Sequence, residues 1–221
     1  MDGRGEEPVT LASLAGHLAG HLAGRLATRP GRLMVALAGP PAVGKSQAAV
    51  TLAGQLGAAG HPAAILPMDG YHFDDAVLEA RGLRERKGAP ETFDVAGLAH
   101  MLERLGRNDE PEIAVPVFDR ALEVARAGAR LIPSTTEVVI VEGNYLLLDR
   151  DPWLRLAPFF DVTVRLEAGR SLLRRRLVAR WADAGLPTAE IARRVEENDL
   201  PNGRLVLAES RVADFVIESE G

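Results

Sequence analysis

An α/β fold with a mostly parallel sheet and helices on both faces is the architecture the sequence predicts, on three observations. Short, uninterrupted apolar runs rich in Val, Ile and Leu recur along the chain, the pattern of strands buried on both faces. Longer segments of helical composition separate them, as parallel crossovers require. One of the runs ends in a glycine-punctuated loop, "GPPAVGKS", that leads straight into a helix.

From the N-terminus, Leu11, Leu14, Leu18, Leu22 and Leu26 keep the three-or-four spacing of one helix face, so residues 1–32 are predicted to form an amphipathic helix packed on the domain. His17, His21 and Arg25 interrupt the run too early for a signal-peptide core. The two histidines lie off the Leu stripe with no carboxylate beside them, which assigns them to the solvated face rather than to a metal. Residues 33–37 are the first strand, and the helix after the loop is stopped by Gly60. Residues 63–68 are a second strand. Residues 79–91 are charged and punctuated by Gly, 95–105 are helical, and 113–117 are a short extended piece that Pro116 assigns to an edge. This stretch, about 70–135, reads as an insertion over a site. Further strands are predicted at 138–141, 162–166 and 215–217, with helices at 170–182, 188–197 and 202–210. No repeat or linker divides the 221 residues, which are expected to make a single domain.

Composition narrows the partners. The 26 basic and 31 acidic residues give a net charge of −5, and neither sign forms a block, which argues against a nucleic-acid arm or a polybasic membrane patch. With no Cys there are no disulfides, thiolate metal sites or thiol nucleophiles. That suits a reducing compartment, and a cytoplasmic location is expected, with small molecules as partners and a homodimer left open.

"GPPAVGKS" satisfies G-x-x-x-x-G-K-[ST] with Gly39, Gly44, Lys45 and Ser46. Glycines at these spacings let the backbone N–H groups of a loop through Pro40, Ala42 and Val43 wrap round phosphates, while the helix starting near Lys45 and Gln47 presents its positive end. Lys45 is expected to reach the β- and γ-phosphates of ATP and Ser46 to bind Mg²⁺. "VVIVEGN" is the complementary element: an apolar strand ending in Glu142 places a carboxylate beside the loop, to hold Mg²⁺ directly or through water. Asp69 ends the second strand on the same sheet edge, where a carboxylate can take the proton of a hydroxyl attacking the γ-phosphate.

Phosphate loop, "DGYH", "RKGAPETFD", "VPVFD", "VVIVEGNYLLL" and "LRRRLVARW" come in the order found in the phosphoribulokinase, uridine kinase and pantothenate kinase superfamily of P-loop kinases, over roughly residues 33–218. The chain resembles most the small bacterial members labelled fructose transport system kinases or nucleoside kinase-like ATPases. The resemblance implies a P-loop NTPase fold with a helical lid at about 170–200, and Asp69 as catalytic base. It also implies lid arginines over the phosphates, for which Arg174, Arg176 and Arg180 are the candidates. Uridine kinases carry Asp-His-Pro where this chain has Gly88-Ala89-Pro90, so the acid that would grip a ribose is missing. Tyr71, His72, Lys87, Phe118, Asp119 and Tyr145 are the candidates for the acceptor pocket. The function expected is an ATP- and Mg²⁺-dependent kinase acting on a hydroxyl of a sugar, nucleoside or pantothenate-like metabolite. The alternative is a nucleotide-hydrolysing switch or metallochaperone without such an acceptor; the chain has no Asn-Lys-x-Asp guanine reader.

Overall fold

The computed structural model describes residues 7–28 and 31–219. Its strands are β1 Glu7–Pro8, β2 Leu33–Ala38, β3 Ala63–Pro67, β4 Glu112–Asp119, β5 Val124–Pro133, β6 Val138–Gly143, β7 Val162–Glu167 and β8 Phe215–Glu218. The helices are α1 Leu11–Thr28, α2 Lys45–Ala58, α3 Asp75–Ala80, α4 Val95–Arg107, α5 Arg170–Asp183, α6 Thr188–Arg194 and α7 Leu200–Glu209. Among the described residues, six strands form one sheet in the order β1-β8-β7-β2-β6-β3, with every neighbouring pair parallel. No described helix is long and apolar enough to cross a membrane.

The two central strands, β2 and β6, are buried at every position, which is why they read as continuous apolar runs rather than alternating ones. Alternate side chains serve opposite layers. Leu33, Val35, Leu37 and Ile140 face Leu14 and Leu18 of α1, Leu52 and Leu56 of α2, and Leu173 and Leu177 of α5. Met34, Ala36, Val139 and Val141 face Leu98, Leu102 and Leu105 of α4, together with Trp153 and Leu156 of a 3₁₀ segment. The α4 helix is set by local chemistry as well: the Asp94 side chain accepts the Gly97 N–H at its start, and Asn108, left-handed at φ 49°, ends it.

The structure departs from the sequence reading in several places. The strand expected over 63–68 ends at Pro67, and Met68–Tyr71 forms a 3₁₀ turn. Met68 is buried and apolar, so composition could not separate it from the strand; the turn is set by long-range packing, because a Cβ on Gly70 would stand 2.6 Å from the Pro116 carbonyl oxygen. The segment expected as a lone edge piece is the first arm of an antiparallel hairpin, β4–β5, outside the main sheet, with its register shifting between Val115 and Val117 around Pro116. Its second arm, "VARAGARLIP", is mostly exposed and lacks alternation, so no strand was expected there. Arg130 pins the hairpin to the sheet by donating to the Ile65 carbonyl at 2.7 Å. The helix expected over 188–197 ends at Arg194 and continues through a π-helical turn, Val195–Asp199, into α7. His17 stacks on Phe215 with 5.3 Å between ring centroids and His21 meets the same ring edge-on, so both cover β8 instead of facing only water. The side chains of Leu11, Leu22, Arg25 and Leu26 lie outside the described residues, as do residues 1–6, 29 and 30 of the expected N-terminal segment.

Arg32 is buried at the base of β2 and faces three carbonyl oxygens: Nε donates to Thr136 at 3.2 Å, Nη1 to Leu105 at 3.1 Å and Nη2 to Pro133 at 2.7 Å. It ties the ends of α4 and β5 to the central sheet. Replacement by Met keeps the volume and leaves three carbonyls without this donor. We expect Arg32→Met to lower stability by about 2–4 kcal/mol, read as a fall in urea midpoint with an unchanged slope.

Candidate active site

Strand register assembles the site. Glu142 of β6 pairs with Leu37 of β2 on one side and with Pro67 of β3 on the other, so the chain past each strand end, Gly39 and Asp69, flanks the same carboxylate. This is the C-terminal edge of the central strands, where open parallel sheets bind ligands.

The loop after β2 is held in a conformation few residues tolerate. A Cβ on Gly39 would lie 2.5 Å from the Leu166 carbonyl oxygen, and Ala42 and Gly44 take positive φ of 62° and 105°. α2 starts at Lys45, directing its positive end into the loop. Lys45 is itself buried, with Nζ donating to the Pro40 carbonyl at 2.9 Å. Burial brings its pKa down to about 8, against the opposing charges of Glu142 and Asp69. Ser46 Oγ donates to Glu142 Oε1 at 3.2 Å. The Glu142 carboxyl is pushed upward, first by burial and next by Asp69, with Lys45 and Ser46 opposing. A hydroxyl and a buried carboxylate side by side are hard oxygen donors, which suits Mg²⁺ bound partly through phosphate oxygens.

Asp69 opens the 3₁₀ turn, and its Oδ2 accepts from Arg120 Nη2 at 2.9 Å. His72 Nδ1 lies 2.8 Å from the Asp69 carbonyl oxygen and donates to it. The His72 ring packs 4.0 Å from Phe93 and 4.9 Å from Phe118. Burial lowers the His72 pKa despite the nearby Asp69, leaving a neutral ring that buttresses the turn.

A cleft of about 660 Å³ brings these groups together with residues of the segment between β3 and β5. It is lined by Ala42, Gly44, Lys45, Ser46 and Gln47 of the loop and α2, by Asp69, Glu142 and Arg180, and by His72, Lys87 and Phe118. Lys87 Nζ is held by Asp75 at 2.6 Å and the Glu123 carbonyl at 2.7 Å, and stands 5.2 Å from the Phe118 ring centre. Gly39, Pro40 and Val43 shape the loop from behind.

Five expected site residues stand elsewhere. Tyr71 and Tyr145 are buried in the apolar layer, where burial raises both phenols, and the Tyr145 hydroxyl donates to the Gly88 carbonyl at 2.6 Å. Asp119 caps the hairpin turn, accepting from the Ala121 and Leu122 N–H groups at 3.1 and 3.2 Å, and from Arg126 at 3.2 Å. Arg174 pairs with Glu196 at 2.7 Å, away from the cleft. Arg176 donates to the Val43 carbonyl at 3.1 Å and Ser219 Oγ at 2.9 Å, bracing the phosphate loop from outside. Four-residue spacing put Arg176 and Arg180 on one face, yet the loop crosses that face and only Arg180 lines the cleft.

Sequence reading missed Arg120, Asn144, Asn198 and Asp199, all of which line the cleft. Arg120 directly follows the quoted "VPVFD" and could have been noticed there. Asn198 and Asp199 come from the π-helical turn, whose phase no helical periodicity predicts. Asn198 Nδ2 donates to the Lys87 carbonyl at 3.0 Å, and Asp199 Oδ2 accepts from Trp181 Nε1 at 2.7 Å.

A parallel sheet whose second strand feeds a left-handed glycine loop, with a strand-end acid beside the loop's serine, defines a P-loop nucleotide-binding protein. No family model matches the chain. It is 40% identical over 153 residues to the Escherichia coli protein YggC, whose function is uncharacterized, matching 69% of this chain and spanning 62% of that protein's length. It is 31% identical over 199 residues to a provisionally named uridine kinase of Schizosaccharomyces pombe, covering 85% of this chain and 83% of the relative. A crystal structure from Silicibacter sp. TM1040, provisionally named a fructose transport system kinase, superposes with a TM-score of 0.87 at 43% identity, covering 94% of this chain and 98% of that one. The chain belongs to the phosphoribulokinase, uridine kinase and pantothenate kinase superfamily of P-loop kinases.

The Lys45 shift has a measurable consequence. Phosphates placed on this loop need the ammonium form, which is mostly present at pH 7 and mostly lost at pH 9 when the free-state pKa is about 8. Nucleotide affinity should therefore fall about tenfold between pH 7 and pH 9, with proton uptake on binding near pH 8. Calorimetry in buffers of different ionisation enthalpy reads both, and Lys45→Met should flatten the dependence.

Proposed function

We propose that the protein is an ATP- and Mg²⁺-dependent kinase that transfers the γ-phosphoryl group to a hydroxyl of a small metabolite. The observation that carries this reading is that Asp69, a carboxylate half-open to the cleft, shares that cleft with Lys45, Ser46 and Glu142. A loop serving hydrolysis alone requires nothing beyond a positioned water, whereas this one shares a cleft of about 660 Å³ with a carboxylate just past a strand end, with room for an acceptor beside the nucleotide.

In this reading the loop N–H groups and Lys45 hold the β- and γ-phosphates in line with the acceptor. Mg²⁺, held by Ser46 and Glu142, would neutralise charge on the phosphate oxygens. The acceptor hydroxyl gives its proton to Asp69 as its oxygen bonds to the γ-phosphorus and the bond to the β-phosphate oxygen breaks, releasing ADP. Arg180 lies on the cleft side of α5, where a guanidinium can follow the charge on the transferred group. The segment at about 170–200 is proposed as the lid and that at about 70–135 as the acceptor-site insertion. Lys87 and Phe118 are proposed to contact the acceptor, while His72 holds the base's turn. A cytoplasmic location, where ATP and Mg²⁺ are supplied, belongs to the same proposal.

Lys45→Ala should abolish transfer and leave the melting temperature within a few degrees of the parent, since Lys45 bonds only its own loop; parental turnover would sink the phosphate-loop assignment. ATP should be preferred to GTP in a direct competition, and equal use of GTP would favour a switch.

Asp69→Asn separates the roles open to that carboxylate. As base, its loss should cut kcat roughly 10²–10⁴-fold with Mg-ATP affinity within a few-fold of the parent. A parallel drop in nucleotide affinity, rescued by excess Mg²⁺, would make Asp69 a metal group instead. Stopped-flow ADP release with titrated Mg²⁺ distinguishes them.

A further inference from the structure

The proposed base is not free in this structure. Arg120, from the turn between β4 and β5, reaches across the cleft and donates Nη2 to Asp69 Oδ2 at 2.9 Å. The Arg120 side chain is 54% exposed and that of Asp69 26%, so the pair stands in the open cleft, within reach of an incoming ligand. A hydroxyl that is to give its proton to Asp69 must compete with this guanidinium for the same carboxylate.

The cations that residues 84–87 and α6 bring to the cleft are already matched by acids. Arg84 and Lys87 share Asp75, at 2.8 and 2.6 Å, Arg86 faces Glu91 at 3.6 Å, Arg193 pairs with Glu85 at 2.8 Å and Arg194 with Glu190 at 2.9 Å. Two guanidiniums differ. Arg180 has no carboxylate within ion-pair distance among the described residues and rests against the Trp181 ring, 5.1 Å from its centre. Among the described residues, Arg120 has only Asp69. The two repel across the cleft: after the hydration Arg180 loses there, Arg120 is the next cause that lowers its pKa. An oxyanion placed between them would relieve that repulsion and give Arg120 a partner other than the base.

We propose that the acceptor is an anionic alcohol, carrying a carboxylate or phosphate besides the hydroxyl that is phosphorylated, and that its anion takes Arg120 from Asp69 as it binds. Resting on the kinase reading above, this names the substrate class of the same site and makes Arg120 its specificity residue. Binding of the anion and exposure of the base are then one event. A neutral alcohol leaves Arg120 on Asp69 and must share the carboxylate with it, since Oδ2 already accepts from the guanidinium.

The test uses matched pairs of alcohols, glycerate against glycerol, pantothenate against pantothenol, and hexose 6-phosphates against the free hexoses. Binding is measured by calorimetry in the presence of Mg²⁺ and a non-hydrolysable ATP analogue, and turnover by ADP release. The expected result is that at least one anionic member binds at least about tenfold more tightly than its neutral partner. Arg120→Gln should erase that difference while leaving ATP affinity within a few-fold, and Arg120→Lys should restore only part of it, because an ammonium lacks the planar fork. Carboxylate and phosphate pairs report separately which oxyanion is read. Arg120 lies in an exposed turn, and a melting curve on each variant checks that the fold is intact. Preferential binding of the neutral members overturns the proposal, as does anionic preference that survives Arg120→Gln. A variant that loses kcat equally on charged and neutral acceptors overturns it too, by assigning Arg120 to the transferred phosphoryl group. Failure of the kinase reading looks different: binding discrimination that depends on Arg120, with no ADP released from any alcohol, supports the anion site while refuting transfer.

Discussion

The site depends on the parallel register of three strands. With Glu142 locked beside Leu37 and Pro67, the chain can leave β2 and β3 only along the two flanks of one carboxylate. A slip of one residue in either ladder would turn Glu142 to the opposite layer and drive an apolar neighbour into the loop. The apolar side chains of β2 and β6, committed to opposite helical layers, forbid that slip. Core packing and site geometry are therefore one constraint.

Close backbone contacts fix what lies just beyond the strand ends. Gly143 can sit at the end of β6 only because it lacks a Cβ, which would lie 2.4 Å from that of Met68. Gly70 likewise admits the Pro116 carbonyl, and Gly39 that of Leu166. These three glycines let the Asp69 turn, the hairpin and the phosphate loop approach more closely than side chains permit. His72, bonded to the Asp69 carbonyl and wedged between Phe93 and Phe118, holds the turn from the far side.

Charge in the site is arranged for a ligand rather than for stability. Lys45 is buried at a cost to its ammonium form, Glu142 at a cost to its carboxylate, and Arg180 faces another arginine. Each of these penalties would shrink on binding a polyphosphate with a counter-cation, as expected of a preorganised electrostatic site rather than a set of structural ion pairs. Away from the cleft the arginines are spent differently: Arg32 on carbonyl oxygens, Arg130 on the edge of β3, and Arg176 on the back of the loop.

The sequence alone determined the layered α/β class, the central strands, the phosphate loop and the position of Asp69 and Glu142 at strand ends. These follow from patterns within a few residues: apolar runs, glycine spacing, and a carboxylate after the last apolar residue. Tertiary structure decided which polar residues enter the cleft. Arg174, Arg176 and Arg180 look alike on one helix, but Glu196, the Val43 carbonyl and the open cleft give them three different places. Asp119 and Arg120 are neighbours in sequence, yet one caps a turn and the other reaches Asp69, because the hairpin partner β5 fixes where each points. Tyr71 and Tyr145 next to catalytic-looking residues were buried by layers assembled from distant helices. Side-chain destinations of this kind depend on packing between segments far apart in the chain, and no local pattern carries that information.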